Sequence, residues 1–404
     1  MLPIADAFDY EYRGCDLLYG RGRAADLGSY LAERGLDRAL IVCGSNVGAN
    51  EELMDPIREG LGERHVGTFD GTTPEKRVET AFSLIEEAEE TGADVLVGVG
   101  GGSSLDTARQ ASLLATDDRS LSDLREEALE GAVRSPEPTD DPLPVVVIPT
   151  TFAGADVSPG GSLEVLSAPD SPTGQPVTIS GSAMPIADLA DPALVETSPQ
   201  GALAGSAMNG LDKGIETPYA RDANPVSDAL AVHGVRLMSE ALPRAVGEAD
   251  VNGERDEEAA MDRAVVGSLL VQLERKISIV HAFGHGFARR YSVQQGAIHA
   301  VVVPHVLEYL FSEVDASRSL LAVGFEIHLE GRSEDEVADA VVGAVTGVRD
   351  SLGLPARLRD LPETREEDLP AIAEFIVDDP PMERAPAGLD PGAEEIEAVL
   401  REAW

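Results

Sequence analysis

The run Val95-Leu96-Val97-Gly98-Val99-Gly100-Gly101-Gly102-Ser103-Ser104 passes from an apolar strand through three glycines into a helix start. Glycines at a strand-to-helix turn let the backbone approach a ligand, and the free N–H groups and dipole of the new helix favour an anion. A dinucleotide pyrophosphate held by Gly100, Gly101, Gly102 and Ser103, with Asp106 one turn into the helix, suits such a turn; a tight βα turn without ligand is the alternative. Thr150 and Thr151 follow a second apolar strand, at the carboxyl end where open α/β sheets bind ligands. Ordinary turn hydrogen bonding is the other reading for this pair. His281 and His285 are one helical turn apart and share a face, where a neutral imidazole relays protons.

The elements that must position these groups fall into two regimes. Residues 39–43, 94–99 and 144–149 read as buried strands, and 52–61, 76–90 and 104–115 as amphipathic helices, which is βα alternation and hence a parallel sheet. The acidic, proline-containing segment 117–143 reads as a surface excursion. After Asp191-Pro192 come long helical patterns at 200–219, 225–243, 258–288, 299–312, 318–328 and 333–352. Short helices joined by loops follow over 354–390, with a last helix near 392–403. The expected organisation is an α/β nucleotide-binding domain, 1–190, and a helical domain, 191–404, carrying the substrate site.

With 404 residues, 43% of them hydrophobic, the chain can bury a large core. Its formal charge is −42, from 73 acidic and 31 basic residues, and only Lys76, Lys213 and Lys276 are lysines. Such a balance fits a salt-adapted protein, whose self-repulsion high salt screens, and argues against nucleic acid or anionic membranes as partners. Cys15 and Cys43 are too few for a disulfide framework and read as free thiols in a reducing compartment. No apolar run reaches the length of a membrane span and no leader pattern opens the chain, so a cytoplasmic location is expected.

Several segments carry a family resemblance. Pro149-Thr150-Thr151-Phe152-Ala153-Gly154-Ala155-Asp156-Val157-Ser158-Pro159, Asp191-Pro192-Ala193-Leu194, Ala223-Asn224-Pro225 with Asp228-Ala229, and His281-x-x-x-His285 followed by Pro304-His305 occur in the order seen in iron-containing (group III) alcohol dehydrogenases. Phe152-Ala153-Gly154, Asn209 after Met208, and His299 ahead of the Val-rich run look most like the maleylacetate reductases of that superfamily. The resemblance implies a Rossmann-like domain, an all-helical domain, and a cleft between them where NADP(H) or NAD(H) meets a small alcohol, aldehyde or oxoacid in a homodimer or larger assembly. Relatives that prefer NAD end the second strand with a carboxylate for the ribose. Here Gly44, Ser45 and Asn46 stand there, so no acidic group repels a 2′-phosphate and NADP(H) is favoured, dual use being the alternative.

The metal site departs from the family pattern. Typical members bind a divalent metal through an Asp and a His four apart on one helix and two further His. Anchored on Met208 and Ile215-Glu216, the Asp position holds Asn209 and the His position Lys213; anchored on His281, the fourth holds Gln295. An amide oxygen is a poor ligand and an ammonium repels a cation, so no divalent metal is expected there. A shifted set, His281, His285 and His299, is the alternative. With the metal replaced, the Lys213 ammonium would stabilise the alkoxide formed by hydride transfer, Asn209 standing beside it, with His285 and His281 in catalytic or substrate contact. A structural ion pair of Lys213 with Asp212 or Glu216 is the plainer reading. The expected activity is NAD(P)-dependent alcohol dehydrogenase or carbonyl reductase chemistry, possible substrate-carboxylate partners being Arg275, Lys276, Arg289 and Arg290. A non-catalytic cofactor-binding homologue and dehydroquinate synthase-like cyclisation are the alternatives.

Overall fold

The computed structural model describes residues 8, 10, 14–247 and 257–404. It divides into two compact units, one spanning Arg13–Ser198 and the other built on Pro199–Trp404, which Tyr10 joins through a hydrogen bond donated to Glu274 Oε1 (2.7 Å).

The first unit contains strands β1 (Asp16–Tyr19), β2 (Ala39–Val42), β3 (His65–Phe69), β4 (Val95–Gly100), β5 (Val145–Pro149), β6 (Ser162–Leu166), β7 (Val177–Ser180) and β8 (Ala187–Ala190). Its helices are α1 (Leu27–Ala32), α2 (Ser45–Gly48), α3 (Glu51–Leu61), α4 (Val78–Thr91), α5 (Gly102–Leu114), α6 (Leu121–Leu129) and α7 (Pro192–Val195). Six strands form a parallel sheet in the order β1-β8-β5-β4-β2-β3, while β6 and β7 pair as a separate antiparallel hairpin. Side chains alternate across the sheet: Ile41, Val97 and Ile148 pack with Leu31, Met54 and Ile57 on one face, whereas Leu40, Leu96 and Val147 pack with Leu84, Leu105 and Leu124 on the other. Burial on both faces is why β2, β4 and β5 are uninterrupted apolar runs.

Segment 117–143 is more ordered than a surface excursion. It contains α6, opened by a capping box in which Ser120 and Asp123 satisfy each other's backbone N–H, and it buries Leu124 and Ala128.

The second unit is helical: α8 (Gln200–Glu216), α9 (Pro225–Ala245), α10 (Glu257–Leu273), α11 (Ile279–Ala288), α12 (Gln295–Glu313), α13 (Arg318–Gly324), α14 (Glu334–Ser351), α15 (Leu369–Val377) and α16 (Ala393–Ala403). The single helix expected over 258–288 is two, α10 and α11. Partners distant in sequence end it: Lys276 N–H donates to Thr217 Oγ1 (2.9 Å), and the Glu216 carboxylate accepts from the first turn of α11. Glycines let the central helices touch. A Cβ on Gly296 of α12 would overlap the Gly205 carbonyl oxygen of α8, and one on Gly284 of α11 would overlap His299. None of the described helices is long and apolar enough to cross a membrane.

Candidate active site

In the first unit, the turn between β4 and α5 is built for close approach. Gly100 has φ +133°, a conformation L side chains rarely adopt, and a Cβ there would lie 3.2 Å from Ser104 Oγ. Gly101 caps α5 in extended conformation without a side-chain hydrogen bond, so the first N–H groups of the helix lack a capping side chain. Thr150 is buried and its N–H donates to the Gly100 carbonyl (3.0 Å); a Cβ on Gly101 would touch Thr151 Oγ1 at 3.6 Å. Gly44, past the end of β2, bridges Gly71, and a Cβ on it would come within 3.1 Å of the Thr72 carbonyl. Ser45 and Asn46 open α2 beside it, and Thr72 Oγ1 hydrogen-bonds Ser104 Oγ (2.7 Å). These groups line the carboxyl ends of β2, β4 and β5 and fit a dinucleotide's ribose and pyrophosphate. Asp106, expected as a cofactor contact, has protein partners of its own. It holds Arg109 (2.6 Å) and Lys76 (3.1 Å), and Arg109, fully buried, also donates to the Ser158 carbonyl. Asp106 therefore clasps α5 to neighbouring segments.

In the second unit, α8 is buried along most of its length, so its polar residues must find partners inside. Lys213 Nζ donates to Asn209 Oδ1 (2.9 Å) and to the Asn209 carbonyl (3.2 Å), one turn back. Glu216 Oε1 accepts the Val280 (2.6 Å) and His281 (3.3 Å) N–H groups, an acidic cap on the positive end of α11, while Glu216 Oε2 bonds His281 Nδ1. Asp212 Oδ2 lies 3.2 Å from His281 Nδ1 and 3.0 Å from His299 Nδ1. His285 Nδ1 bonds Asp379 Oδ2 (2.7 Å), an orientation that leaves its Nε2 for other work; the histidine is part-exposed and the aspartate buried.

Burial sets the charges. It raises the Asp212 carboxyl to about 7, helped by the Glu216 charge, and raises Glu216 to about 8 against the backbone donors that hold it. It lowers His281 to about 3 and His299 well below its ordinary value, the Lys213 charge adding to the latter, so both imidazoles are neutral at pH 7.

The residues expected at this site, Asn209, Lys213, His281, His285 and His299, lie on three contacting helices, but their grouping differs from the shifted metal set. His285 is tied to Asp379, and its ring centre is 6.4 Å from that of His281. The buried group with converging ligand atoms is Asp212, His281 and His299. Asp212 is adjacent in sequence to Lys213, yet 100° per residue along a helix gives neighbours different faces. Asp379 lies in the segment 354–390, expected to form short helices joined by loops, where nothing marked it as a partner of His285.

Iron, which the family resemblance implies, does not fit the positions it implies. Lys213 Nζ is bonded to Asn209 Oδ1, so two of those positions satisfy each other, and Gln295 brings only an amide. His281 alone has a donor suited to a transition metal.

Residues 16–180 match the model of iron-containing alcohol dehydrogenase, and residues 203–404 that of the Fe-containing alcohol dehydrogenase family's C-terminal domain. The chain is 29% identical over 366 residues to the NAD-dependent methanol dehydrogenase of Bacillus methanolicus, covering 89% of this chain and 91% of that one. Crystallised 1,3-propanediol oxidoreductase superposes with a TM-score of 0.84 at 24% identity, covering 98% of this chain and 100% of that one. The maleylacetate reductase of Rhizobium sp. strain MTP-10005 superposes with 0.76 at 25%, covering 99% of each. A Rossmann-like parallel sheet, a helical C-terminal unit and family-model matches to both parts make this chain a member of the iron-containing alcohol dehydrogenase family.

Proposed function

We propose that this protein interconverts a small alcohol and its carbonyl compound with NADP(H) or NAD(H), and that the Lys213 ammonium, in place of a divalent metal, stabilises the substrate oxygen. The observation that carries the reading is the Lys213–Asn209 pair, a buried amine held by an amide oxygen one turn back on α8. Residues 1–190 bind the cofactor, through Gly44, Ser45, Asn46, Gly100, Gly101, Gly102, Ser103, Thr150 and Thr151, and residues 191–404 act on the substrate.

In the reducing direction, a nicotinamide held by the β4–α5 turn and by Gly44, Ser45 and Asn46 would supply a hydride to the carbonyl carbon. The carbonyl π electrons move to oxygen, and Lys213 donates a charged hydrogen bond to that developing alkoxide, worth most in a water-poor site. Asn209 Oδ1 fixes the direction of the amine. His285, oriented by Asp379, passes a solvent proton to the alkoxide. Deprotonated His285 then regains a proton from water, so the balance is carbonyl, hydride and one proton to alcohol.

The family membership and the methanol dehydrogenase likeness support the reaction class. The maleylacetate reductase likeness favours a second substrate class, oxoacids. Arg290 and Lys276 face Asp368 and Asp222, whereas the Arg289 guanidinium stacks on Phe375 (4.0 Å), making Arg289 the candidate carboxylate partner.

The test is oxidation of NADPH and NADH by protein purified in molar KCl, followed by absorbance on panels of aldehydes and oxoacids. Turnover that survives chelation and is lost in Lys213→Met supports the reading. Cofactor binding without turnover on either panel makes the chain a non-catalytic homologue.

A further inference from the structure

We propose that Asp212, His281 and His299 form a closed site for a zinc-class divalent cation, sharing only His281 with the positions where the family resemblance places a metal, bracing the contact of α8, α11 and α12. One donor atom from each residue lies within 4.8 Å of the other two, and all three residues are buried. The Asp212 Oδ2 to His299 Nδ1 separation of 3.0 Å is close to the edge of about 3.3 Å that two ligands make around a tetrahedral cation with bonds near 2.05 Å.

The polar atoms here lack other partners. Both Asp212 oxygens and both His299 nitrogens approach their neighbours without hydrogen-bond geometry, although Asp212 and His299 are wholly excluded from solvent. Buried groups of this kind are nearly always satisfied, and a cation would engage the carboxylate and the imidazole lone pair together. Glu216, bonded to His281 Nδ1, is a carboxylate that orients this imidazole beside Asp212, whose Oδ2 lies 3.2 Å from the same nitrogen.

One carboxylate with two neutral imidazoles suits Zn²⁺ and Co²⁺ better than Ca²⁺ or Mg²⁺. Complete burial leaves no coordination position for substrate, which separates a structural from a catalytic site. The three ligands come from three helices whose contact depends on glycines at 205, 284 and 296, so the cation would fasten a crossing that lacks large interlocking side chains. The inference does not depend on the role given to Lys213.

The test starts from protein purified in molar KCl without chelator, assayed for bound metal, then stripped and titrated with Zn²⁺ and with Co²⁺ by calorimetry. Stoichiometric uptake, a visible Co²⁺ absorption band and a thermal midpoint that rises with Zn²⁺ are expected. Asp212→Asn and His299→Gln should each weaken Zn²⁺ binding by roughly 100-fold, while Asn209→Ala and Gln295→Ala leave it unchanged. Should the ligand variants fail to fold, anomalous scattering from Zn²⁺ in crystals of the unsubstituted protein must place the ion among Asp212, His281 and His299. Absence of Zn²⁺ and Co²⁺ uptake, or uptake that depends on Asn209 and Gln295, overturns the proposal.

Discussion

Replacing Lys213 by Met tests the proposed chemistry most directly, because it removes the charge while keeping much of the volume. Lys213 is 5% exposed and its amine is held by Asn209, so neither water nor a neighbouring side chain can easily substitute for it. Loss of one preorganised donor to a developing oxyanion costs about 10²–10³ in kcat, or about 2.7–4 kcal/mol. A charged donor in a dry site belongs at the upper end of that range. The deletion also removes a cation near the buried carboxyls of Asp212 and Glu216, which costs stability of roughly 1–3 kcal/mol. The assay is therefore paired: steady-state and single-turnover NADPH oxidation in molar KCl, beside thermal unfolding and cofactor titration by fluorescence. The expected result is a kcat loss of about 10³ with cofactor affinity within about threefold, an interaction missing only from the transition state. C4-deuterated cofactor should then give a larger isotope effect, because hydride transfer becomes limiting. A folded Lys213→Met protein with kcat within about threefold of the parent would refute the assignment, since no oxyanion donor worth the name contributes less.

The net charge of −42 should make the thermal midpoint climb steeply with KCl, as the Debye length falls from about 10 Å at 0.1 M to about 3 Å at 1 M; full stability in dilute buffer contradicts salt adaptation. Gly44→Asp should shift preference from NADPH towards NADH by about tenfold, or ~1.4 kcal/mol, and unchanged relative affinities would remove Gly44 from the 2′ position. Burial and the Asp156 charge push the Asp188 carboxyl well above its ordinary value. Its contribution to stability is therefore present at low pH and lost as pH rises through the native value, so Asp188→Asn should flatten the alkaline fall in thermal midpoint; an unaltered profile means Asp188 does not titrate in that window. Strand β1 ends the parallel sheet with Leu17 and Tyr19 each 41% exposed, so we expect a homodimer by light scattering that Leu17→Lys weakens, and a monomer at all concentrations refutes this.

The parallel sheet was legible where burial on both faces turns a strand into a plain apolar run, as in Ala39–Val42, Val95–Gly100 and Val145–Pro149. Strand β3, His65–Phe69, escaped because it closes the other end of the sheet half-buried, with His65, Gly67 and Thr68 in place of an apolar run. The β6–β7 hairpin shows the period-two pattern in Val177–Ser180, buried at Val177 and Ile179 alone, but each strand is too short for the pattern to stand out. The break between α10 and α11 left no local signal that competes with the helical periodicity on either side. It is imposed by Thr217 and Glu216, residues about 60 positions away in sequence.

The site was legible where one helix fixes a pattern and illegible where two helices meet. Spacing of four reveals Asn209 with Lys213, and His281 with His285, because such residues share a face. It says nothing of which face meets which. Asp212 stands opposite His299 because Gly284 and Gly296 allow three helices to approach closely: an Ala at 284 would displace the imidazole, and one at 296 would push α12 off the Gly205 carbonyl. A glycine inside a helix costs about 1 kcal/mol relative to Ala. In the fold these glycines admit a carboxylate and two imidazoles to one dry pocket. The chain thus keeps a polar centre in two parts, the Lys213 amine with the Asn209 amide, and the Asp212 group with its two histidines. The Lys213→Met and Asp212→Asn variants separate them, the first read in turnover and the second in metal content.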